Sequence, residues 1–390
     1  MTRIFSYLTI LLIFISIYTQ AQPFQIGHKQ QTFIDESRSN RSINTEIYYP
    51  ANSSGDNVPM ANGIFPTLVF GHGFVMTWDS YDYLWNGIIP SGFILVFPKT
   101  EGSFSPSHAD FGKDIAFLVD AMKLEGLNQS STFYNAVSDK SAVMGHSMGG
   151  GSAFLSIQYN STITALATLA AAVTNPSSVT AAPEIQIPSL TIAGANDCIT
   201  PTADHQMPMY NALSSECKSY VSLSGASHCQ FAGTSFTCSF GEATCLPAAA
   251  ITADAQHSLT LQLLLPWLSH YLKEDCDAGN SFQELIETNS EISIEQNCSL
   301  ACNTSSIDEL SNEFTISPNP IQNTGKLFSK KALVDAEIRV INVTGQLVKQ
   351  YNFINGNEFK LDFEDVHSGL YFIQISERNS LKHFEILVIK

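Results

Sequence analysis

The sequence predicts an α/β protein, a mainly parallel sheet with helices on both faces, followed by a small all-β, sandwich-like domain. Three observations lead there. Between Ser42 and Leu272, short apolar runs alternate with stretches of helical spacing, which is the pattern of a parallel sheet. One of those runs turns sharply through Gly145-His146-Ser147-Met148-Gly149 into a small-residue helix. Beyond Glu313 the texture changes to short runs of β-forming residues punctuated by Gly345, Gly356 and Gly369.

Taken in order, residues 42–49 alternate in polarity and read as a strand closed by Pro50. Residues 65–70 form a buried apolar run that ends at Gly71-His72-Gly73-Phe74, and 92–97 form another, stopped by Pro98. Over 111–124, Ile115, Leu118, Val119 and Met122 share one face of a helix. The elbow strand and helix follow, then strands over 165–172, 187–194 and 220–223 and a closing helix over 259–272. Residues 274–325 contain no Lys or Arg, and 276–312 read as an acidic linker between a catalytic-sized domain over 22–275 and a β-module over 313–390. Strands within that module are expected at 336–342, 346–351, 358–363 and 369–375.

Residues 1–21 have the organisation of an export signal: Arg3, an apolar run at 10–15 too short to span a bilayer, and the small Ala21. Eight cysteines behind such a signal imply disulfides and a secreted or cell-surface address. The charge is uneven. Up to Ser311 the chain carries 27 acids against 10 bases, and beyond it 9 of each, so no basic face is left to neutralise phosphates and nucleic acid is not an expected partner.

The chemistry rests on serine. Ser147 on a sharp turn projects its hydroxyl above the sheet, and the following helix points its N-terminal amides at the same place. A serine hydroxyl needs a base to take its proton and a carboxylate to orient that base. Asp197 follows the strand at 187–194, and His228 follows the strand at 220–223, so both fall at strand C-terminal ends. Asp204, His205, His257 and His270 lie in or near helices and are the weaker candidates. Two oxyanion donors are expected: the amide of Met148, next to the nucleophile, and that of Phe74 in the loop after 65–70. His72 is expected to pack behind that loop. Cys198 and Cys229 directly follow the acid and the base, so a bridge between them is the expected pairing, and Cys238 and Cys245 could close a small loop. No cluster has metal-ligand spacing, and neither metal nor cofactor is expected.

Three motifs at compatible spacing carry a resemblance: Gly145-His146-Ser147-Met148-Gly149-Gly150-Gly151, Gly194-Ala195-Asn196-Asp197-Cys198-Ile199-Thr200-Pro201 and Gly225-Ala226-Ser227-His228. Over roughly 27–275 the chain resembles the polyesterase–lipase–cutinase family, which includes cutinases and PET hydrolases of the α/β-hydrolase fold. The resemblance implies Ser147 as nucleophile, Asp197 as acid and His228 as base, with Phe74 and Met148 as oxyanion donors. It also implies that Phe74 and His146 contribute to the substrate site, and that Cys198 pairs with Cys229. PET hydrolases carry a tryptophan on the loop after the strand that follows the elbow helix. Here that stretch, 169–176, has no aromatic residue.

The C-terminal stretches Ile316-Ser317-Pro318-Asn319-Pro320, Val340-Ile341-Asn342-Val343-Thr344-Gly345 and Ser368-Gly369-Leu370-Tyr371 resemble a type IX secretion sorting domain. The resulting expectation is a secreted, monomeric serine ester hydrolase acting on polyesters and short acyl esters, with the secretion machinery as its protein partner. A plain carboxylesterase or lipase is the alternative within enzymes. A surface-held binding protein without turnover is the alternative outside them.

Overall fold

The computed structural model describes residues 23–233, 235–302, 314–343, 345–377 and 380–389, and the chain divides into two units, Met1–Cys302 and Asn303–Lys390. The expected export signal over 1–21 and the stretch 303–312 of the expected linker lie outside the described residues.

In the first unit the strands are β1 (Gln25–Asp35), β2 (Arg41–Ala51), β3 (Gly55–Asp56), β4 (Phe65–Gly71), β5 (Ile94–Pro98), β6 (Val137–His146), β7 (Ala165–Leu169), β8 (Ser189–Gly194), β9 (Lys218–Leu223) and β10 (Ile292–Gln296). The helices are α1 (Asp82–Ile88), α2 (His108–Leu127), α3 (Met148–Ser156), α4 (Ser178–Ala181), α5 (Gln206–Ala212), α6 (Phe236–Glu242), α7 (Ala253–Lys273) and α8 (Cys276–Thr288). The sheet order is β10-β9-β8-β7-β6-β4-β5-β2-β1-β3. From β5 through β4, β6, β7 and β8 to β9 all pairings are parallel, whereas β2 and β10 join antiparallel at the two flanks.

Alternation along the central strands splits the core in two. Leu68 and Phe70 of β4 and Leu95 and Phe97 of β5 face Leu84, Leu264 and Trp267 of α1 and α7. Val69, Ile94 and Val96 face the other way, toward Phe111 and Ile115 of α2 and Phe154 of α3. Both faces are covered, so the central strands are apolar throughout. The parallel strands all run their C-terminal ends to one edge, where the loops after β4, β6, β8 and β9 meet.

The expected linker is partly structure. Residues 276–288 form α8, which buries Gly279, Phe282 and Ile286, and 292–296 form the edge strand β10 paired with β9. The Cys217–Cys298 bridge staples this stretch to the residue before β9, and Cys276–Cys302 closes it on itself. Its missing basic residues suggested a solvated tether, but the amphipathic spacing of Phe282 and Ile286 outweighs that composition.

The second unit contains β11 (Phe314–Ser317), β12 (Thr324–Asn342), β13 (Leu347–Asp362), β14 (Gly369–Glu377) and β15 (Ser380–Val388) in one antiparallel sheet. The long β12 pairs with β11, β13 and β14, and its side chains Leu327, Ile338 and Val340 share a core with Leu361, Phe363, Ile373 and Val388.

Candidate active site

The turn between β6 and α3 is a strained elbow. Ser147 has φ 54° and ψ −121°, a conformation that costs an L-residue on the order of 1–3 kcal/mol and persists only where surroundings enforce it. Those surroundings are backbone. The Ser147 N–H donates to the Leu169 carbonyl at 3.0 Å, and the Ser147 carbonyl accepts from Gly151 and Ala172 at 3.1 and 2.9 Å. Glycine is obligatory at two positions here. A Cβ on Gly145 would lie 2.4 Å from the Gly149 backbone, and one on Gly149 would lie 2.1 Å from the Gly71 carbonyl oxygen. The second contact presses the start of α3, where Met148 lies, against the loop after β4 that carries Phe74. Among the described residues neither the Met148 nor the Phe74 amide donates to a backbone carbonyl.

His228, on the loop after β9, places Nε2 at 3.0 Å from Ser147 Oγ and Nδ1 at 2.8 Å from Asp197 Oδ2. The carboxylate can only accept, so Nδ1 carries the proton and Nε2 is the basic nitrogen facing the serine. Asp197 is held in turn: Oδ1 accepts from the Ile199 and Thr200 amides at 2.9 and 2.7 Å, and Oδ2 accepts from the Thr200 hydroxyl at 2.7 Å. Gln206 Nε2 donates to that hydroxyl at 3.1 Å. The base loop is clamped by Gln256, which accepts from the Ser227 amide at 3.0 Å and donates to its carbonyl at 2.9 Å. Thr200 sits inside the motif that carries Asp197. Gln206 and Gln256 have no local signature, because each reaches the site only through the folded packing of its helix.

His146 differs from expectation. It was expected to help bind substrate, but its side chain is fully buried beneath the elbow with both ring nitrogens engaged. Nε2 lies 3.2 Å from the His228 carbonyl, and Nδ1 lies 3.0 Å from the Tyr81 hydroxyl, which also receives the Gly73 amide at 2.8 Å. An amide only donates and a carbonyl only accepts, so Tyr81 donates to Nδ1 and His146 is neutral with its proton on Nε2. Burial, reinforced by nearby His228, holds the His146 pKa well below the usual histidine range. His146 and Tyr81 thus link the Gly73 loop to the base loop from below.

The weaker histidine candidates stand apart from the serine. His205 Nδ1 accepts from the Val173 amide at 2.9 Å. His257 stacks on Tyr83 at 3.8 Å, and His270 lies beside the Asp275 carbonyl. His72 is buried behind the loop, between the Gly73 and Thr100 carbonyls, each at 2.9 Å.

The bridges also differ from expectation. Cys198 pairs with Cys245, and Cys229 with Cys238, so neither the expected Cys198–Cys229 bridge nor a Cys238–Cys245 loop forms. The segment around α6 folds back over both loops and gives each cysteine a nearer partner. Asn196 Nδ2 donates to the Ala248 carbonyl at 2.6 Å, and the Cys229 amide donates to Glu242 Oε1 at 3.0 Å. Acid and base loops are therefore each tied to this segment.

Above Ser147 lies a cavity of about 120 Å³ lined by Phe74, Met76, Ser147, Ile199, His228, Thr237, Cys238 and Gly241. It is mostly apolar and open to solvent. A serine with a hydrogen-bonded histidine–carboxylate pair beneath an open apolar cleft suits attack on an acyl carbonyl.

Comparison with known proteins gives two family matches. Residues 20–242 match a family described as PET hydrolase-like, and residues 315–390 match the secretion system C-terminal sorting domain. A bis(hydroxyethyl) terephthalate hydrolase of Streptomyces coelicolor is 28% identical over 194 residues, covering 47% of this chain and 54% of that protein. Cutinase 1 of Thermobifida cellulosilytica is 28% identical over 219 residues, covering 53% of this chain and 79% of that protein. A cutinase of Thermobifida fusca is 28% identical over 219 residues, covering 53% and 69%. The chain thus spans about half the length of the first of these relatives.

Proposed function

The chain belongs to the PET hydrolase-like family and ends in a secretion-system sorting domain, and on that premise we propose that it is an exported serine hydrolase of polyesters and short acyl esters. The observation that carries the reading is the continuous Asp197–His228–Ser147 hydrogen-bonded chain opening into an apolar cleft. The sorting domain marks a secreted or cell-surface protein, an address suited to a polymer too large to import.

In this reading His228 Nε2 takes the Ser147 proton as Oγ attacks the ester carbonyl. Asp197 stabilises the resulting imidazolium, and the Phe74 and Met148 amides hold the oxyanion. His228 returns the proton to the departing alkoxide, leaving an acyl-serine. Water, deprotonated by the same nitrogen, then attacks the acyl carbonyl and releases the acid. The relatives named for cutin and terephthalate esters support an ester substrate of this kind.

A second reading, a carboxylesterase of soluble esters only, is favoured by one feature: the stretch 169–176 after β7 has no aromatic residue, whereas the resemblance implies a tryptophan on that loop in PET hydrolases. One experiment addresses both. Wild type and Ser147→Ala are compared on p-nitrophenyl butyrate and on an amorphous aromatic polyester film. Wild-type activity on both, with a loss of about 10⁶-fold in the variant, is expected. Small-ester turnover without film release selects the second reading. Neither activity in the wild type removes the hydrolase reading.

A further inference from the structure

Helix α6 does not look like a structural element. Its seven residues bury no side chain, yet it carries Phe236 and Phe240, 87% and 76% exposed, with ring centroids 6.4 Å apart. Two neighbouring exposed phenylalanines on so short a helix are a liability to a soluble protein unless they have a partner. The rest of the helix explains where that partner lies. Thr237, Cys238 and Gly241 line the cleft over Ser147, and Gly241 lies against Ile199, where a Cβ would come 3.3 Å from Ile199 Cδ1. Adjacent helical positions are about 100° apart, so the Phe236–Phe240 stripe borders the stripe that walls the cleft.

The cleft itself is small. At about 120 Å³ it is close to the size of cavity that accepts a single benzene ring. A substrate longer than one ring-sized unit must leave the cleft and cross its rim. What it meets there is apolar: Phe236 and Phe240 on α6, and Phe104, 78% exposed, edge-to-face with Phe74 at 6.3 Å. The Cys229–Cys238 and Cys198–Cys245 bridges fasten α6 and its C-terminal flank to the residues that follow the base and the acid, so the stripe keeps its place relative to the reacting serine.

We propose that α6 is the polymer-docking element of this hydrolase, with Phe236 and Phe240 packing against repeat units of an apolar polyester beyond the ester held at Ser147. The inference rests on the hydrolase reading above, and adds the element that separates polymer from small-ester substrates. It places the aromatic surface on α6, where the loop after β7 carries none.

Two measurements on the full chain test it. In the first, Phe236→Ser/Phe240→Ser is compared with wild type for product release from an amorphous aromatic polyester film, normalised to p-nitrophenyl butyrate turnover of the same preparation. The ratio is expected to fall about tenfold, as loss of two apolar contacts implies, and Phe236→Tyr/Phe240→Tyr is expected to retain most of it. In the second, adsorption to polyester nanoparticles is measured in a Ser147→Ala background, which needs no turnover, and the Ser pair is expected to weaken it by a similar factor. An unchanged film ratio and unchanged adsorption overturn the proposal. So does a Ser pair that converts a dimer to a monomer by sedimentation while film release persists, since the stripe is then a self-contact. Adsorption that depends on the pair in a wild type lacking both activities keeps the docking surface and removes only the hydrolase reading.

Discussion

The two walls of the cleft are held by different means. The wall below, β6–Ser147–α3, is fixed by close backbone contact: Gly149 lies against Gly71, the Ser147 carbonyl accepts two amides, and no cysteine is involved. The wall above, residues 235–250, buries only Cys245, exposes Phe236 and Phe240 and is tied down by two disulfides. The lower wall holds the reacting atoms, whose positions tolerate little error. It is built into the sheet, where packing is rigid. The upper wall presents a surface to substrate. It lacks the apolar core that would fix it, and covalent links take that role.

The comparison can be broken most severely from below. Gly149→Ala introduces a methyl into the Gly71 carbonyl, and we expect a loss on the order of 3 kcal/mol or more. The melting temperature of wild type and variant would be compared; a variant as stable as wild type would mean that the elbow can relax. From above, Cys198→Ala/Cys245→Ala opens a link between residues 47 apart in sequence, and the chain-entropy estimate is about 4 kcal/mol. Limited proteolysis should then cut within 235–250 while the central sheet stays protected. Cleavage spread evenly over the first unit would show that the bridge supports the whole domain instead.

The smallest effect concerns acid. His146 is held neutral by burial, with a pKa well below the usual 6.5. The unfolded chain therefore binds more protons at this residue once the pH drops below about 6.5, and the group removes up to about 1.4 kcal/mol of stability per pH unit as the pH falls toward its folded value. Above that range the contribution is complete. Urea unfolding of wild type between pH 7 and 5 should show the decline, and His146→Gln, which can still donate to the His228 carbonyl and accept from Tyr81, should make it shallower. An identical slope would place the acid sensitivity in other groups.

What the sequence determined by itself is local in origin. The period of apolar residues identified most central strands, and glycines at 145 and 149 announced a turn that no Cβ could enter. Asp197 and His228 were legible because each stands just past a strand, so its position follows from the strand alone. The texture beyond Glu313 announced an all-β unit for the same reason. Only the tertiary structure decided what joins distant stretches. It paired Cys198 with Cys245 and Cys229 with Cys238, because the α6 segment folds over both loops. It drew α8 and β10 into the first unit despite their linker-like composition. It buried His146 under the elbow and brought in Tyr81, Gln206 and Gln256 as supports. These contacts depend on where helices land on the sheet, and the spacing of residues along a chain carries no record of that.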